Sequence, residues 1–80
     1  MTREKVFESV NGIFRDVFDD DDITVGEETT AEDIEDWDSL EHINLIVAIE
    51  KKFIIKFNMG EINALKNVGE MVDVIMTRME

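Results

Sequence analysis

Residues 37–53 read WDSLEHINLIVAIEKKF, and the rest of the chain can be placed around them. Leu40, Ile43, Ile46, Val47, Ile49 and Phe53 recur at helical spacing. Asp38 stands where an N-cap belongs: its carboxylate can accept from the backbone N–H of Glu41, whose side chain can reach back in a capping box. Lys51 and Lys52 fall in the last turn, where the helix dipole favours cations. The stretch therefore predicts a helix that opens on Asp38 and closes near Phe53.

Upstream, Val6, Phe7, Val10, Ile13, Phe14, Val17 and Phe18 form one wide apolar stripe of helical period. Thr2 can cap its start. Asp19, Asp20, Asp21 and Asp22 follow it, and four acids at a helix C-terminus oppose the macrodipole, so the helix should stop near Phe18. Residues 19–37 hold no sustained period. They read as a long acidic loop pinned to the core by Ile23, Val25, Ile34 and Trp37. Loops of that length within a small domain tend to be functional.

Downstream, a short turn of helix over residues 60–65 would bury Ile62 and Leu65. Asn67-Val68-Gly69-Glu70 repeats the cap-and-acid pattern and opens a final helix, whose core face is Val68, Met71, Val72, Ile75 and Met79. Ile54-Ile55 is the only strand candidate, and it is too short. The expectation is an all-α fold. Three main helices and one short one should form a small antiparallel four-helix bundle, with a long acidic loop between the first two.

Composition narrows the function. Eighty residues suit one small domain, 1–80, and leave little room for a deep catalytic cleft. There is no Cys and one His, His42, which removes disulfides, thiolate nucleophiles and the common zinc motifs. The longest apolar run is five residues, so no membrane insertion is expected, and the chain reads as a soluble cytoplasmic monomer. Net charge is −12, all of it within residues 1–42, which hold 15 acids and 3 bases. Such a surface repels nucleic acid and suits partners with basic docking surfaces.

Three chemistries can be weighed on these residues. Ser39 and His42 share a helix face, so a nucleophile–base pair is conceivable. Nothing in the sequence orients His42, however, and a surface histidine is the plainer reading, so no catalytic residue is assigned. A calcium loop starting at Asp21 would place Gly26 and Glu32 correctly but puts Ile23 and Val25 at two ligand positions. No specific metal site is expected there, only loose divalent binding at Asp19, Asp20, Asp21 and Asp22. Finally, Ser39 in the first turn of its helix sits beside unpaired N–H groups and the positive dipole end, where an attached phosphodiester would be well tolerated. Taken as four residues, Asp38-Ser39-Leu40-Glu41 is only a helix cap.

The wider context changes that balance. Asp38-Ser39-Leu40, after a long acidic loop and at the middle of a strongly acidic helical chain, resembles the acyl carrier protein family. Residues 37–46 through Glu50-Lys51-Lys52-Phe53 are similar to its phosphopantetheine-attachment segment, and the likeness spans nearly the whole chain. The resemblance implies that a phosphopantetheinyl transferase uses coenzyme A to load 4'-phosphopantetheine on Ser39, whose hydroxyl attacks the pyrophosphate. The arm's terminal thiol would then carry acyl groups as thioesters for fatty-acid, polyketide or related lipid synthesis. The chain would itself be no enzyme. It would serve acyl-activating, acyltransferase or ketosynthase-type partners by raising the local concentration of their cargo.

The resemblance also assigns partner docking to Asp36, Asp38, Leu40, Glu41, Asn44, Val47 and Glu50. A lining for the acyl chain would come from Ile46, Ile49, Phe57, Ile62 and Leu65. Several positions depart from the family pattern. Asp36 replaces a frequent glycine, Asn44, Lys51 and Lys52 replace acids along the second helix, and the proline often found after it is missing. These departures point to a specialised stand-alone carrier. An aminoacyl or peptidyl carrier, such as a D-alanyl carrier, would share Ser39 and differ in cargo. A calcium-responsive acidic interaction module is the alternative from another class.

Overall fold

A computed structural model describes residues 2–79. Four helices follow one another: α1 (Arg3–Phe18), α2 (Ser39–Phe53), α3 (Met59–Ala64) and α4 (Val68–Met79). A 3₁₀ turn, Ala31–Asp33, interrupts the long connection before α2. No strand occurs among the described residues. α1 packs against both α2 and α4, so its stripe forms the centre of the bundle.

The helix ends lie where short polar side chains satisfy orphan backbone groups. Thr2 accepts from Lys5 N–H at the head of α1, and Asp38 accepts from Glu41 N–H at the head of α2. Asn58 and Glu61 form the reciprocal box that opens α3, one residue earlier than the sequence pattern predicts. At α2 the expected box is half made. Glu41 does not reach back, and its carboxylate instead accepts from the Asn44 amide at 2.8 Å. Glu70 behaves similarly at α4, accepting from Lys66 N–H rather than from Asn67.

The core takes Val6, Val10, Ile13, Phe14 and Phe18 from α1, Leu45, Ile46 and Ile49 from α2, and Val68, Met71, Val72 and Ile75 from α4. Two parts of the expected pattern are corrected. α2 is apolar around much of its circumference, so its periodicity fits several stripes. The buried one contains Leu45, which the pattern omitted, and leaves Leu40 and Ile43 outside. Met79, on the last turn of α4, is exposed rather than part of the core face.

The acidic loop is held more firmly than its sequence suggests. Arg3, Phe7, Asn11 and Arg15 lie four apart on one face of α1 and together grip it. Asn11 pairs with both backbone groups of Val25, accepting from its N–H at 2.6 Å and donating to its carbonyl at 3.3 Å. Arg15 Nε donates to the Ile23 carbonyl at 2.7 Å. Arg3 holds Glu27 through two N–H bonds, reaches Asp73 on α4, and stacks over the Phe7 ring at 5.6 Å.

The loop also meets α4 directly. Val68 and Gly69 N–H donate to the carbonyls of Thr29 and Glu27. That close approach requires glycine: a Cβ on Gly69 would lie 2.6 Å from the Glu27 carbonyl oxygen. The Arg3 hydrogen bonds hold the Glu27 carboxyl below its usual range against the smaller opposing effect of desolvation, with the Arg3 charge adding least. A carboxylate lowered in the folded state contributes above its unfolded value and loses that contribution as the pH falls through the folded one. Thermal melts between pH 6 and 3 should therefore fall more steeply for the wild type than for Arg3→Leu. Parallel pH profiles would remove this clamp from the acid response.

α2 ends on Ile54 in the left-handed region, with φ 56°, and this β-branched side chain is 90% exposed. Such a residue costs about 1–2 kcal/mol in that conformation, whereas glycine adopts it freely. Ile54→Gly should raise stability by about 1 kcal/mol after allowance for its looser unfolded chain, or roughly 4–8 °C in a domain of this size. Calorimetry checks this, and an unchanged or lower melting temperature would show that Ile54 makes a contact worth its strain.

Candidate functional site

Ser39 is the first residue of α2 and its side chain is exposed. The position follows from the cap. Asp38 in extended conformation turns the chain and accepts from Glu41 N–H at 2.9 Å, which leaves Ser39 at the tip of the helix with its hydroxyl toward solvent. What precedes the cap is anchored by aromatic packing. Trp37 meets Phe14 edge-on at 5.2 Å between ring centroids and lies 6.4 Å from Phe18. On its other side it stacks on His42 at 5.8 Å. The Asp38 cap and the packed Trp37 thus fix where the backbone of Ser39 lies.

His42 departs from the surface histidine expected of it. It is half-buried, and both ring nitrogens are engaged: Trp37 Nε1 donates to Nδ1 at 3.1 Å, and Nε2 lies 3.1 Å from the Ile62 carbonyl oxygen of α3. Trp37 and Ile62 therefore orient the ring, and neither nitrogen is left to take a proton from Ser39.

Beside Ser39 a groove of about 480 Å³ runs between α2 and α3. Ile43, Ile62, Leu65 and Met71 form its apolar side, while Asp38, Asn63, Lys66 and Asn67 supply polar atoms. The groove thus sets an apolar wall beside hydrogen-bonding groups, and Lys66 is the one cation in this lining. Of the five candidate pocket residues, Ile62 and Leu65 line the groove. Ile46, Ile49 and Phe57 are buried in the core instead.

The candidate docking residues divide by environment. Leu40 is 70% exposed and Val47 41%, with Ile43 between them at 46%. These three make an exposed apolar ridge along α2, and Ile43, whose spacing also fits a core stripe, stands at its border with the groove. Asp36, Asp38 and Asn44 are exposed around the ridge, and Glu41 is half-buried. Glu50 is half-buried, and its carboxylate accepts from Phe57 N–H at 2.8 Å, which holds the chain leaving α2. Asp19, Asp20, Asp21 and Asp22 are exposed, and Asp20 is spent in a local turn with Asp22 N–H. Among the described residues no group of three or more His, Cys, Asp or Glu is placed to hold a metal ion.

Comparison with known proteins places this geometry. Residues 8–75 match the family described as phosphopantetheine attachment site. An acyl carrier protein of Coprothermobacter proteolyticus is 30% identical over 77 residues, which span 94% of this chain and 92% of that one. The solution structure of holo acyl carrier protein from Geobacter metallireducens superposes with a TM-score of 0.86 at 48% identity, covering 91% of this chain and 84% of that one. The acyl carrier protein of Thermotoga maritima gives 0.83 at 25% identity, covering 95% and 88%.

Proposed function

The chain belongs to the acyl carrier protein family, whose members carry covalent 4'-phosphopantetheine, and we propose that Ser39 is the residue that bears the arm. The observation that carries this reading is the position of Ser39: an exposed hydroxyl at the first turn of α2, beside the groove. In the loading step the Ser39 oxygen forms a bond to the pantetheine-side phosphorus of coenzyme A. The pyrophosphate bond breaks, adenosine 3',5'-bisphosphate leaves, and the hydroxyl proton passes to a base of the transferase. The new phosphodiester lies at the positive end of the α2 dipole, which offsets part of the repulsion from Asp36 and Asp38.

In this reading the carrier unit comprises residues 1–80 and works as a cytoplasmic monomer. Its thiol carries acyl groups for a dedicated lipid or polyketide pathway. Asn44, Lys51 and Lys52 support a specialised role, because they break the acidic run that a basic enzyme would follow along α2. Partners would seat an apolar pocket on Leu40, Ile43 and Val47 and place basic side chains against Asp36, Asp38 and Glu41.

Intact-protein mass spectrometry after incubation with coenzyme A and a broad-specificity transferase tests the assignment. One phosphopantetheinyl group should appear, and peptide mapping should find it on Ser39; an unmodified chain, or an arm elsewhere, overturns it. Acyl- and aminoacyl-activating enzymes offered to the holo protein then decide the cargo class. Charge reversal tests docking. Glu41→Lys should slow modification by roughly threefold to tenfold at low salt and less at high salt, with circular dichroism unchanged. Equal rates would remove Glu41 from the contact.

A further inference from the structure

We propose that the distal end of α2 is a second docking contact, which fits a partner enzyme that carries carboxylates there and basic side chains only near Ser39. The proposal rests on the carrier reading and deepens it, because it states the charge pattern of the enzyme surface that this chain serves.

The exposed ridge of Leu40, Ile43 and Val47 does not stop at Val47. One and two turns further on, Lys51 and Ile54 continue the same line. Val47, Lys51, Ile54 and Lys56 also share one hollow of about 400 Å³, with Glu50 and Ile55 completing its wall. Glu50 is the single acid there, and its carboxylate accepts from Phe57 N–H. Lys51, Lys52 and Lys56 are exposed. Among the described residues the ion pairs engage Arg3, Lys5 and Arg78, so none of the three lysines has a partner.

The fold does not account for this arrangement. The helix dipole favours Lys51 and Lys52, but Lys56 lies beyond the helix. Ile54, between them, holds a left-handed backbone that glycine takes freely, and its side chain is almost fully exposed, so burial does not offset the strain.

Charge selects the occupant. Residues 1–42 hold the whole net charge of −12 and residues 43–80 none. At about 1.5 Å per residue, α2 sets Ile54 about 20 Å from Ser39. That is more than two Debye lengths of about 8 Å at physiological salt, so the two ends read separate patches of a partner. A surface basic throughout attracts the Ser39 end and repels the lysines. One that is basic near the arm and acidic about 20 Å away attracts both, and fixes the direction in which α2 lies across it. Whatever covers the lysines on both sides of Ile54 also takes that side chain from water, which gives the contact an apolar centre. An anionic bilayer or a second copy of this chain would instead meet the repulsion of the acidic half.

The probe is a ketosynthase whose solved complex with its own carrier shows basic side chains along the whole of that carrier's second helix. Its affinity for the full, unloaded chain is measured for the wild type and for Lys51→Glu/Lys56→Glu. Both are measured again with an enzyme variant in which the basic residues facing the distal end are replaced by glutamate. At low salt the original enzyme should bind the double variant about fivefold or more tightly than the wild type. The swapped enzyme should show the reverse order, and both differences should shrink as salt rises. Equal affinities, or the same order with both enzymes, overturn the proposal. If circular dichroism shows that the double variant does not fold, Lys51→Gln/Lys56→Gln should give the same two orders with smaller differences.

Ile54→Gly separates docking from folding. It relieves the backbone and should still bind the swapped enzyme about threefold or more weakly than the wild type, and unchanged binding counts against the contact. Sedimentation and vesicle flotation test the other occupants. A wild-type dimer that Ile54→Gly dissolves would give the patch to a second copy, and retention on phosphatidylserine vesicles that the double variant loses would give it to a membrane; either result overturns the enzyme partner. Docking is measured on the unloaded chain, so its failure is separate from that of the carrier reading, which falls if the broad-specificity transferase cannot load Ser39.

Discussion

Ser39→Ala is expected to abolish phosphopantetheine attachment completely while leaving the melting temperature within about 2 °C of the wild type, since the substitution removes only an exposed hydroxyl. The two halves of that result have separate causes. The Ser39 hydroxyl joins none of the hydrogen bonds that cap α2, a task carried by Asp38, so the fold has no stake in it. Alanine is also the better helix former, which offsets any small loss of first-turn solvation. The modification, by contrast, has no substitute nucleophile nearby. Ser9 is half-buried on α1, and Thr24 and Thr77 lie outside the groove. Mass spectrometry and calorimetry on the same sample check both statements. Residual modification of the variant would move the attachment site, and a large fall in melting temperature would mean that Ser39 serves the fold.

The sequence and the structure agree where the physics is local. Thr2, Asp38 and Asn67 cap their helices because a short polar side chain finds its N–H partner within three residues, a relation visible in the sequence. The α1 stripe is legible because its other face is polar. α2 is harder, because Leu40, Ile43 and Val47 are as apolar as Leu45, Ile46 and Ile49, and periodicity cannot tell an exposed apolar ridge from a core face when both are present.

Contacts between distant residues left weaker traces. The Arg3–Glu27–Asp73 cluster and the Gly69–Glu27 approach join residues 24 to 70 positions apart. Only the four-residue spacing of Arg3, Phe7, Asn11 and Arg15 hinted at a face reserved for the loop. The orientation of His42 depends on a carbonyl twenty residues away, exposed by the shortness of α3, and no motif announces it.

Phe14→Ala is expected to cost about 3–5 kcal/mol, enough to bring the domain close to its unfolding limit at room temperature. Phe14 is fully buried, packs on Phe18 at 5.9 Å and meets Trp37 of the loop edge-on at 5.2 Å. A domain of this length has about 4–12 kcal/mol in total, so the loss takes a large part of it. Relaxation into the cavity is limited, because Val10, Leu45 and Ile49 of the same core cluster are themselves fully buried. Urea unfolding followed by Trp37 emission should show the midpoint falling by at least about a quarter, with a largely unchanged slope.

The site should respond before the helices melt. Trp37 keeps its stack on His42 but loses its wedge against α1, so the residues leading into Asp38 and Ser39 become less ordered while α2 persists. Under folding conditions Phe14→Ala should therefore load more slowly than the wild type, and Ile75→Ala, which opens a cavity at a fully buried position on α4, should load at nearly the wild-type rate. If both variants slow loading in proportion to their loss of stability, the aromatic wedge has no part in presenting Ser39, and its hydroxyl is positioned by the helix cap alone.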